Sequence, residues 1–496
     1  MIEFVLFGLF AALLIAFVMR RKDVREGTQI PGPKGLPIVG NITEVNTENM
    51  HVKCFEYAGK FGDIFQVKLL NQRLIVLNSE SLTRLAGSTD RYKQFMNDKP
   101  GSFYGDMFFY DSQCTVLCKH GFSAEHNGYR KGFTKATKDI IIGCVSLIAK
   151  IESAKNLDFE IVSEIKMSLA DTLSSLLIGK QFKGDDPNRK LIGEFSDITD
   201  FFLQPSVNDA LQMFPFLRHL PGSYGKQYKR ATKAIEAIID VYFHQQKESY
   251  DPEKVRGTVD HTLKDQLKEI EMGKEPFFTD ERIISQILEI MSTGMLTTWA
   301  FLSNALLCLL NHPECQERMF LELAKVIGRA RELDVKDVSD CPYVEAVELE
   351  VHRYVPVVNF LDAKHCNADL VFEGYDIPKG SMVHANVWYI HHNEKIWGDP
   401  WNFRPERWLG EQGNLVPKDH TFRKNWFPFG YGRRQCVGEQ FARSTSFLYL
   451  ASIFRRWKLV SSPGQSVSCD PRDKHNYDSL ATIRPKPFFA RFEERY

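Results

Sequence analysis

The sequence predicts a mainly α-helical protein with small β-sheets, folded as one large domain. Helical periodicity dominates residues 127–330, where apolar side chains recur at i, i+3, i+4 and i+7. One such helix face is formed by Ile235, Ile238, Ile239 and Tyr242. Runs typical of strands are short and lie at residues 63–78, 370–371 and 381–386 and near the C-terminus. Although 496 residues could hold several domains, no Gly/Ser-rich linker or charge block divides the chain.

The balance of charge gives no support to a role in binding polyanions. The chain carries 63 Lys and Arg against 63 Asp and Glu, so we expect no nucleic-acid partner. Its ten cysteines are scattered without close pairs. For a domain in a reducing compartment, we therefore expect no disulfide framework.

The N-terminus has the pattern of a membrane anchor. An apolar run at residues 4–19 is followed at once by Arg20, Arg21 and Lys22. A cleaved signal peptide is the alternative, but its cations precede the apolar core, whereas here they follow it. By the positive-inside rule the cations stay in the cytosol. We predict a transmembrane signal anchor over residues 1–22, a proline-rich hinge over 23–45 and a cytosolic domain over 46–496. The apolar run is short, which suits the thin endoplasmic reticulum membrane.

A glycine-rich run near the C-terminus places Cys436 directly before an amphipathic helix and behind Arg433 and Arg434. Backbone N–H groups, a helix N-terminus and nearby cations are what a thiolate needs to stay ionised and sheltered. Glycines let the backbone approach a flat ring, and an arginine can pair with a carboxylate of that ring. The pattern fits the presentation of a thiolate to a haem iron. A buried structural cysteine is the alternative.

Two motifs upstream stand in a fixed order with this run. Glu350 and Arg353 are three residues apart in the helical stretch 344–354, so they share a face and can pair. Arg407 follows within the segment Phe-Arg-Pro-Glu-Arg-Trp at residues 403–408. Each motif alone is common, but chance would rarely supply all three in this order.

Together these motifs give the chain a resemblance to the cytochrome P450 family, of the animal microsomal type, over nearly its whole length. The run fits FxxGxRxCxG at every fixed position, which are Phe429, Gly432, Arg434, Cys436 and Gly438. The resemblance implies a single large haem-binding domain with haem b, whose iron takes the Cys436 thiolate as axial ligand. It also implies that Glu350, Arg353 and Arg407 are structural and lock the loop that carries Cys436.

The apolar stretch 283–310 predicts a helix buried through the middle of the domain. By resemblance, this helix covers the distal haem face, with Thr293 beside the substrate and Gly294 making room for dioxygen. Thr297 would donate a hydrogen bond to bound dioxygen, and Thr298 would assist. The alternative is that Gly and Thr merely ease packing. Just before Thr297 the family usually has an acid that relays protons, and this chain has Leu296.

A second departure concerns the haem propionates. The family's Trp-x-x-x-Arg appears as His126 followed by Arg130, so we expect His126 to replace the tryptophan unless the register differs by one residue. Lys364 lies where a basic residue often meets a propionate. On the same helix as Arg130, a stripe of lysines fits docking of an acidic flavoprotein, although a solvated helix face is the more usual meaning. The stripe is formed by Lys131, Lys135 and Lys138.

Aromatic residues predict a lipophilic substrate pocket, although each side chain could equally belong to the core. The proposed lining is Phe103, Tyr104, Phe108, Phe109, Phe201, Phe202, Thr293, Val358 and Phe360. The stretch 213–221 resembles the loop between two distal helices that dips into the membrane in microsomal members.

The resemblance implies an NADPH-driven monooxygenase that inserts one oxygen atom from O2 into a lipophilic substrate such as a sterol, fatty acid or xenobiotic. Its partners would be a membrane-bound flavoprotein reductase and the membrane. Leu296 favours an alternative, a haem-thiolate isomerase or dehydratase that acts on lipid hydroperoxides without a reductase. A non-enzymatic haem protein that binds lipid or gas is a third possibility.

Overall fold

The computed structural model describes residues 27–37, 39–46, 48–70, 72–88, 90–93, 103–109, 136–155, 157–182, 184, 186–328, 331–361, 364–432 and 435–495. The predicted anchor at residues 1–22 lies outside these residues, as do His126, Arg130, Lys131, Lys135 and Arg434. The backbone at Phe108 and Phe109 is described and is helical, but their side chains are outside the described part.

Helices make up most of the described chain, which confirms the predicted class. The α-helices are α1 Met50–Phe61, α2 Glu80–Ser88, α3 Asp90–Lys93, α4 Phe103–Phe109, α5 Thr137–Ser153, α6 Ile161–Ile178, α7 Pro187–Leu203, α8 Pro205–Met213, α9 Ser223–Ile239, α10 Gln245–Glu248, α11 Thr258–Glu271, α12 Asp280–Glu289, α13 Met295–Asn311, α14 Pro313–Val326, α15 Pro342–Tyr354, α16 Val387–His391, α17 Glu394–Trp397, α18 Thr421–Lys424 and α19 Glu439–Phe454. The 3-10 helices are Pro215–His219, Val335–Asp340 and Pro405–Trp408, and π-helical segments are Asp240–His244 and Ile290–Gly294.

Strands occur in each segment that the β-branched runs predicted. The strands are β1 Ile64–Leu69, β2 Gln72–Leu77, β3 Phe159–Glu160, β4 Lys364–His365, β5 Leu370–Phe372, β6 Tyr375–Ile377, β7 Met382–Ala385, β8 Trp457–Ser461, β9 Tyr477–Ser479, β10 Ile483–Pro485 and β11 Phe489–Glu494. Three short strands, β3, β4 and β6, lie outside the predicted segments.

Two of the sheets join distant parts of the sequence. The first has the order β1-β2-β7-β4, with β1 and β2 antiparallel and β2 parallel to β7, so that Val76 lies opposite His384. The second has the order β3-β11-β8 and pairs the C-terminal strand with residues 159–160. Since a parallel pair needs a long crossover, most of the helical chain lies between β2 and β7.

The main core is built around α13, whose residues are nearly all buried. Preceding α13, α12 begins where the Thr279 side chain accepts a hydrogen bond from the Arg282 backbone N–H, which caps the helix N-terminus. Residues Asp280–Asn311 form the helix in the described chain that is long and apolar enough to cross a membrane, and 78% of its apolar window is buried inside the protein. It is therefore the central core helix that the sequence predicts.

Candidate active site

A buried ion-pair network, which we call the clamp, joins Glu350, Arg353 and Arg407. Arg353 donates from Nη2 and Nε to the two carboxylate oxygens of Glu350, at 2.8 and 2.9 Å, and Arg407 Nε donates to Glu350 Oε1 at 3.1 Å. All three side chains are fully buried. A buried charge is tolerated only when its hydrogen-bonding capacity is met. The Trp408 indole and the Arg404 backbone N–H, each at 2.9 Å, complete the shell around the Glu350 carboxylate.

The helix that carries the clamp, α15, also holds the loop before Cys436. The Trp426 indole donates to the backbone oxygen of Leu349 at 3.0 Å. From the same helix, the His352 ring stacks on Phe301 of α13 with centroids 4.2 Å apart, and its edge contacts Phe429 at 5.0 Å. Burial holds the pKa of His352 well below its ordinary value, so the ring is neutral and packs as an aromatic side chain.

The loop itself turns at two glycines with positive φ. Gly430 has φ 77° and Gly432 has φ 71°, a region that residues with a Cβ rarely adopt. Beyond this turn the Cys436 N–H donates to the Phe429 carbonyl oxygen at 2.7 Å, and α19 begins three residues later. Cys436 is exposed, whereas every other cysteine in the described ranges is buried. The loop therefore presents one thiol outward from a turn fixed by its own backbone.

A second charged cluster, which the sequence analysis missed, ties α15 to α19. Arg443 donates to Glu345 at 2.7 Å and lies 3.8 Å from Glu348. Burial raises the pKa of Glu348 to about 7, against the opposing effect of Arg443. No local signal could have revealed the cluster, because Glu345 and Arg443 are 98 residues apart.

The central helix widens into the π-helical segment Ile290–Gly294 immediately before Thr297. The Thr297 hydroxyl donates to the Thr293 carbonyl oxygen at 2.8 Å, and the Thr293 hydroxyl donates to the Glu289 carbonyl oxygen at 2.7 Å. Thr293 is exposed, and Gly294 and Thr297 are partly so, whereas residues 285–292 and 298–310 on either side are buried. An ideal Cβ at Gly294 would meet only the Leu173 side chain, at 3.7 Å. The helix thus has one open, locally widened face.

Two neighbouring positions do not share this open face. Thr298 is 4% exposed, and Leu296 is 2% exposed and packs within the main core. The sequence analysis grouped Thr298 with Thr297, but only Thr297 reaches the open face. Leu296 has neither the chemistry nor the position to relay a proton on that face.

The predicted substrate residues divide into two groups. Phe202 and Phe103 are buried in the main core, 0% and 6% exposed, with ring centroids 6.1 Å apart. Val358 and Phe360 are half-buried, and Phe360 forms a bridge with Asn386 beside the first sheet. The core alternative therefore fits Phe202, while the second group, with Thr293, remains accessible.

Sequence analysis also missed the hairpin β9–β10, which the fold brings beside Val358. The Ile483 N–H donates to the Val357 carbonyl oxygen at 2.9 Å, and Asn304 of α13 donates to the Ile483 carbonyl oxygen at 3.0 Å. Its tip, residues 480–481, is half-buried. This hairpin is a further candidate for the pocket wall, contributed from more than a hundred residues downstream.

Lys364 of β4 lies close to the start of the cysteine loop. A Cβ built on Gly87 would lie 2.5 Å from the Lys364 Nζ and 3.9 Å from the Tyr431 carbonyl oxygen, so the ammonium group and the loop both lie beside Gly87 of α2. Arg84 of α2 stacks on the Tyr431 ring, 3.8 Å from its centroid. Two cations thus stand at one edge of the loop.

The loop after α8 exposes apolar side chains. Phe214 and Phe216 are 46% and 57% exposed, with ring centroids 6.1 Å apart, and Met213 and Leu220 beside them are also exposed. Of the predicted lysine stripe, the structure describes Lys138 of α5, which is exposed to solvent.

The residues present fit a haem group. The donor set contains one outward-facing thiol, and no cluster of three metal-ligating side chains was found among the described residues. The backbone turns of Gly430 and Gly432 keep Cβ atoms away from the loop surface, and the edge near Lys364 supplies positive charge for carboxylates. Thiolate ligation by a single cysteine is one of the known modes of holding haem iron.

Comparisons with known proteins agree with this geometry. A family model described as Cytochrome P450 matches residues 30–490. Similar proteins include Cytochrome P450 2D26 of Rattus norvegicus, 27% identical over 96% of this chain and 95% of the relative. Vitamin D(3) 25-hydroxylase of Sus scrofa is 27% identical over 92% of each chain. Cytochrome P450 1A1 of Sparus aurata is 24% identical over 91% of this chain and 89% of the relative.

Proposed function

The chain belongs to the cytochrome P450 family and is a haem-thiolate monooxygenase, and from this we propose that it inserts one oxygen atom of O2 into a lipophilic substrate. The second oxygen atom leaves as water, and NADPH supplies two electrons through a flavoprotein reductase. The observation that carries the proposal is how Cys436 is presented. It is exposed, on a loop that packs against α15, the helix that contains Glu350 and Arg353 of the buried clamp. Bound haem would supply the oxygen-activating chemistry.

On the proximal side we assign Cys436 as the iron ligand and Phe429, Gly438 and Arg434 as haem contacts. The Cys436 N–H donates to the Phe429 carbonyl oxygen, which fixes the backbone that would carry the iron ligand. The clamp supports this geometry as a structural element. Lys364 is proposed to pair with a propionate, as are His126 and Arg130 outside the described residues.

On the distal side Thr297 is proposed to orient a proton donor toward the dioxygen site. Its hydroxyl bonds to the Thr293 carbonyl oxygen and can exchange that bond for one to an incoming water. Because Leu296 is buried, the proton route passes through the hydroxyls of Thr293 and Thr297 and through water or a substrate hydroxyl. Gly294 leaves space beside them, and Thr298 supports the helix from the core side.

The substrate is proposed to be lipophilic, because the available lining is apolar or aromatic with few charges. Val358, Phe360 and Thr293 are its accessible candidates, and Phe108 and Phe109 are proposed with them from the sequence, while Phe202 is assigned to the core. A relative's name, Vitamin D(3) 25-hydroxylase, is consistent with a lipid-like substrate class. The exposed Phe214 and Phe216 would enter the membrane interface, from which such a substrate partitions.

Residues 1–22 are proposed as the endoplasmic reticulum anchor, 23–45 as the hinge and 46–496 as the cytosolic catalytic domain. The reductase would dock on the lysine stripe that includes Lys138, where positive charge would steer an acidic partner. The alternative function is the rearrangement of lipid hydroperoxides. It is supported by one observation, which is that the side chain at position 296 is apolar and buried.

One experiment separates these functions. The purified protein is incubated with reductase, NADPH, ¹⁸O2 and a lipid panel, and in parallel with lipid hydroperoxides alone. We expect ¹⁸O in a product that requires NADPH. Hydroperoxide turnover far above every reductase-supported rate would reverse the assignment.

The ligand is tested separately by Cys436→Ala, with Cys144→Ala, a buried thiol, as its control. The strongly red-shifted carbon monoxide spectrum of the reduced haem should vanish in Cys436→Ala and persist in Cys144→Ala. A red-shifted spectrum in Cys436→Ala would mean that another residue ligates the iron.

A further inference from the structure

The exposed apolar loop at residues 213–221 is followed by a row of basic side chains. Lys226, Lys229, Arg230 and Lys233 lie on α9 at i, i+3, i+4 and i+7, so they share one face of the helix, and all four are exposed. On the other side of α9, Ile235 is buried in the main core. We call the four exposed residues the basic face, and no step of the proposed monooxygenase reaction uses them.

The charge of the basic face is mostly uncompensated. Arg230 forms an exposed ion pair with Glu194 of α7 at 2.6 Å. The three lysines form no ion pair with any residue that the structure describes. Between Asp209 and Glu236 the sequence contains no acidic residue. The face therefore carries a net positive charge that is open to an anionic partner.

The apolar loop is held against the first turn of α9. An ideal Cβ at Gly225 would lie 2.1 Å from the Leu220 carbonyl oxygen, so a residue with a side chain could not let the loop backbone lie this close. The His219 ring contacts the Tyr228 ring, with centroids 6.1 Å apart. Because Lys226 follows Gly225 directly, the basic face begins where the apolar loop ends, and the two form one continuous surface.

We propose that the apolar loop and the basic face bind the surface of an anionic bilayer, with the phenyl rings at the acyl-chain boundary and the lysines on headgroup phosphates and carboxylates. Apolar area and electrostatic attraction add in such interfacial contacts. A cytoplasmic leaflet that contains phosphatidylserine carries the complementary charge. A basic row alone would equally fit an acidic protein, but the exposed Phe214 and Phe216 beside it favour lipid. This selectivity for a lipid class deepens the membrane contact proposed for these two residues, on which it rests.

Lysine accessibility on a bilayer tests the proposal. The full-length holoprotein is embedded in discs of phosphatidylcholine, with or without added phosphatidylserine, and is acylated briefly before its peptides are mapped by mass spectrometry. With phosphatidylserine, the lysines of the basic face should react at least about three times more slowly, because each gains roughly a five-fold preference for an anionic surface. High salt should remove this difference, because it screens the attraction.

Lys325 is the matched control for accessibility. It is exposed on α14, which packs against α15, the helix of the clamp, and against α19. Its acylation rate should be the same on both bilayers. An equal slowing at Lys325 would show that the charged surface acts on the reagent everywhere, and it would overturn the proposal.

Charge and apolar contact are separated by a variant in which the three lysines of the basic face are replaced by Gln. The probe is hydroxyl-radical oxidation of Met213, an exposed neighbour of Phe214. In the unmutated protein Met213 should be oxidised more slowly on the anionic bilayer than on the neutral one. In the variant the two rates should be equal.

The outcomes distinguish lipid selectivity from the membrane contact itself. Equal rates on both bilayers in the unmutated protein, for Met213 and the lysines alike, would overturn the selectivity, while protection of Met213 relative to detergent would leave the membrane contact intact. Protection of the lysines by the reductase in detergent, without a bilayer, would assign the basic face to a protein partner and would equally overturn the proposal. No readout requires turnover, so the result is independent of the monooxygenase reaction.

Discussion

The two sides of the candidate site are built on opposite plans. On the clamp side, charged groups are fully buried and bonded across long sequence separations, as between Glu350 and Arg407, 57 residues apart. On the distal side, hydroxyls bond to carbonyl oxygens of their own helix four residues earlier. A rearrangement of the clamp side chains would leave a buried charge unpaired. On the distal side, a threonine hydroxyl can exchange its hydrogen bond to a carbonyl oxygen for one to water. Under the proposed assignment, the difference teaches that position is fixed where the iron ligand would be held and adaptable where reactants would arrive.

The largest effect is expected from Glu350→Gln. It leaves Arg353 buried without a counter-charge and leaves Arg407 with Asp399 alone, at 2.9 Å, which should cost about 3–5 kcal/mol of unfolding free energy and much of the haem-loaded protein. Haem content and denaturant midpoints measure this.

The control for this substitution is Glu194→Gln, which breaks an exposed pair with Arg230 and should cost less than about 1 kcal/mol. Equal behaviour of the two variants would refute the contrast between the clamp and ordinary ion pairs.

A smaller effect, dependent on pH, is expected at Glu348. Its folded pKa is raised from 4.5 to about 7, so the folded state binds more protons than the unfolded state between these values. Stability should therefore fall as pH rises from about 4.5 to 7, by at most about 3 kcal/mol from this group.

In Glu348→Gln this part of the slope should disappear. The difference between unfolding curves of the two proteins, measured at pH 5 and pH 7, isolates the group from other titrating side chains. If the difference in unfolding free energy between the two proteins were the same at pH 5 and pH 7, Glu348 would not have the raised pKa.

On the distal side, substitutions should alter coupling more than folding. Thr297→Val removes a hydroxyl that is bonded only within its own helix, so stability should change by about 1 kcal/mol or less. Peroxide release per NADPH should rise several-fold. Thr298→Val, off the open face, is the matched control and should leave coupling unchanged; peroxide release rising equally in both would remove the special role of Thr297.

The smallest effects compare two glycines, one on each side. An alanine at Gly294 would make ordinary contact with Leu173, so Gly294→Ala should be neutral or stabilising by up to about 1 kcal/mol. Gly430 has φ 77°, so Gly430→Ala should be destabilising by about 1 kcal/mol or more. Thermal unfolding of both variants measures the two effects. If Gly294→Ala were more destabilising than Gly430→Ala, the contrast between the distal side and the clamp side would be contradicted.

Sequence reasoning could predict contacts between residues that are near one another along the chain. Glu350 and Arg353 form such a local pattern, and the structure shows that they pair and that Arg407 joins them, whereas the role of the loop around Cys436 stays a prediction. The burial of residues 283–310 also followed from composition. The directions in which Leu296 and Thr298 face could not be predicted, because a helix that is apolar on all sides has no apolar stripe that indicates its orientation.

Contacts between distant segments were beyond local patterns. The link between Glu345 and Arg443, the hairpin beside Val358 and the π-helical segment before Thr297 depend on tertiary packing. Phe202 shows the same limit in another way, because an aromatic side chain in a core and one in a pocket wall have the same local sequence signature.

The central strand of the β3-β11-β8 sheet, β11, has a consequence for biosynthesis. Phe489–Glu494 pairs with residues 159–160, and Arg491 and Glu494 form ion pairs with Asp158 and Lys155. Translation therefore delivers β11 more than three hundred residues after β3. Until β11 has left the ribosome, residues 159–160 lack their partner in this sheet, so the sheet cannot form while the helical region between them is being synthesised.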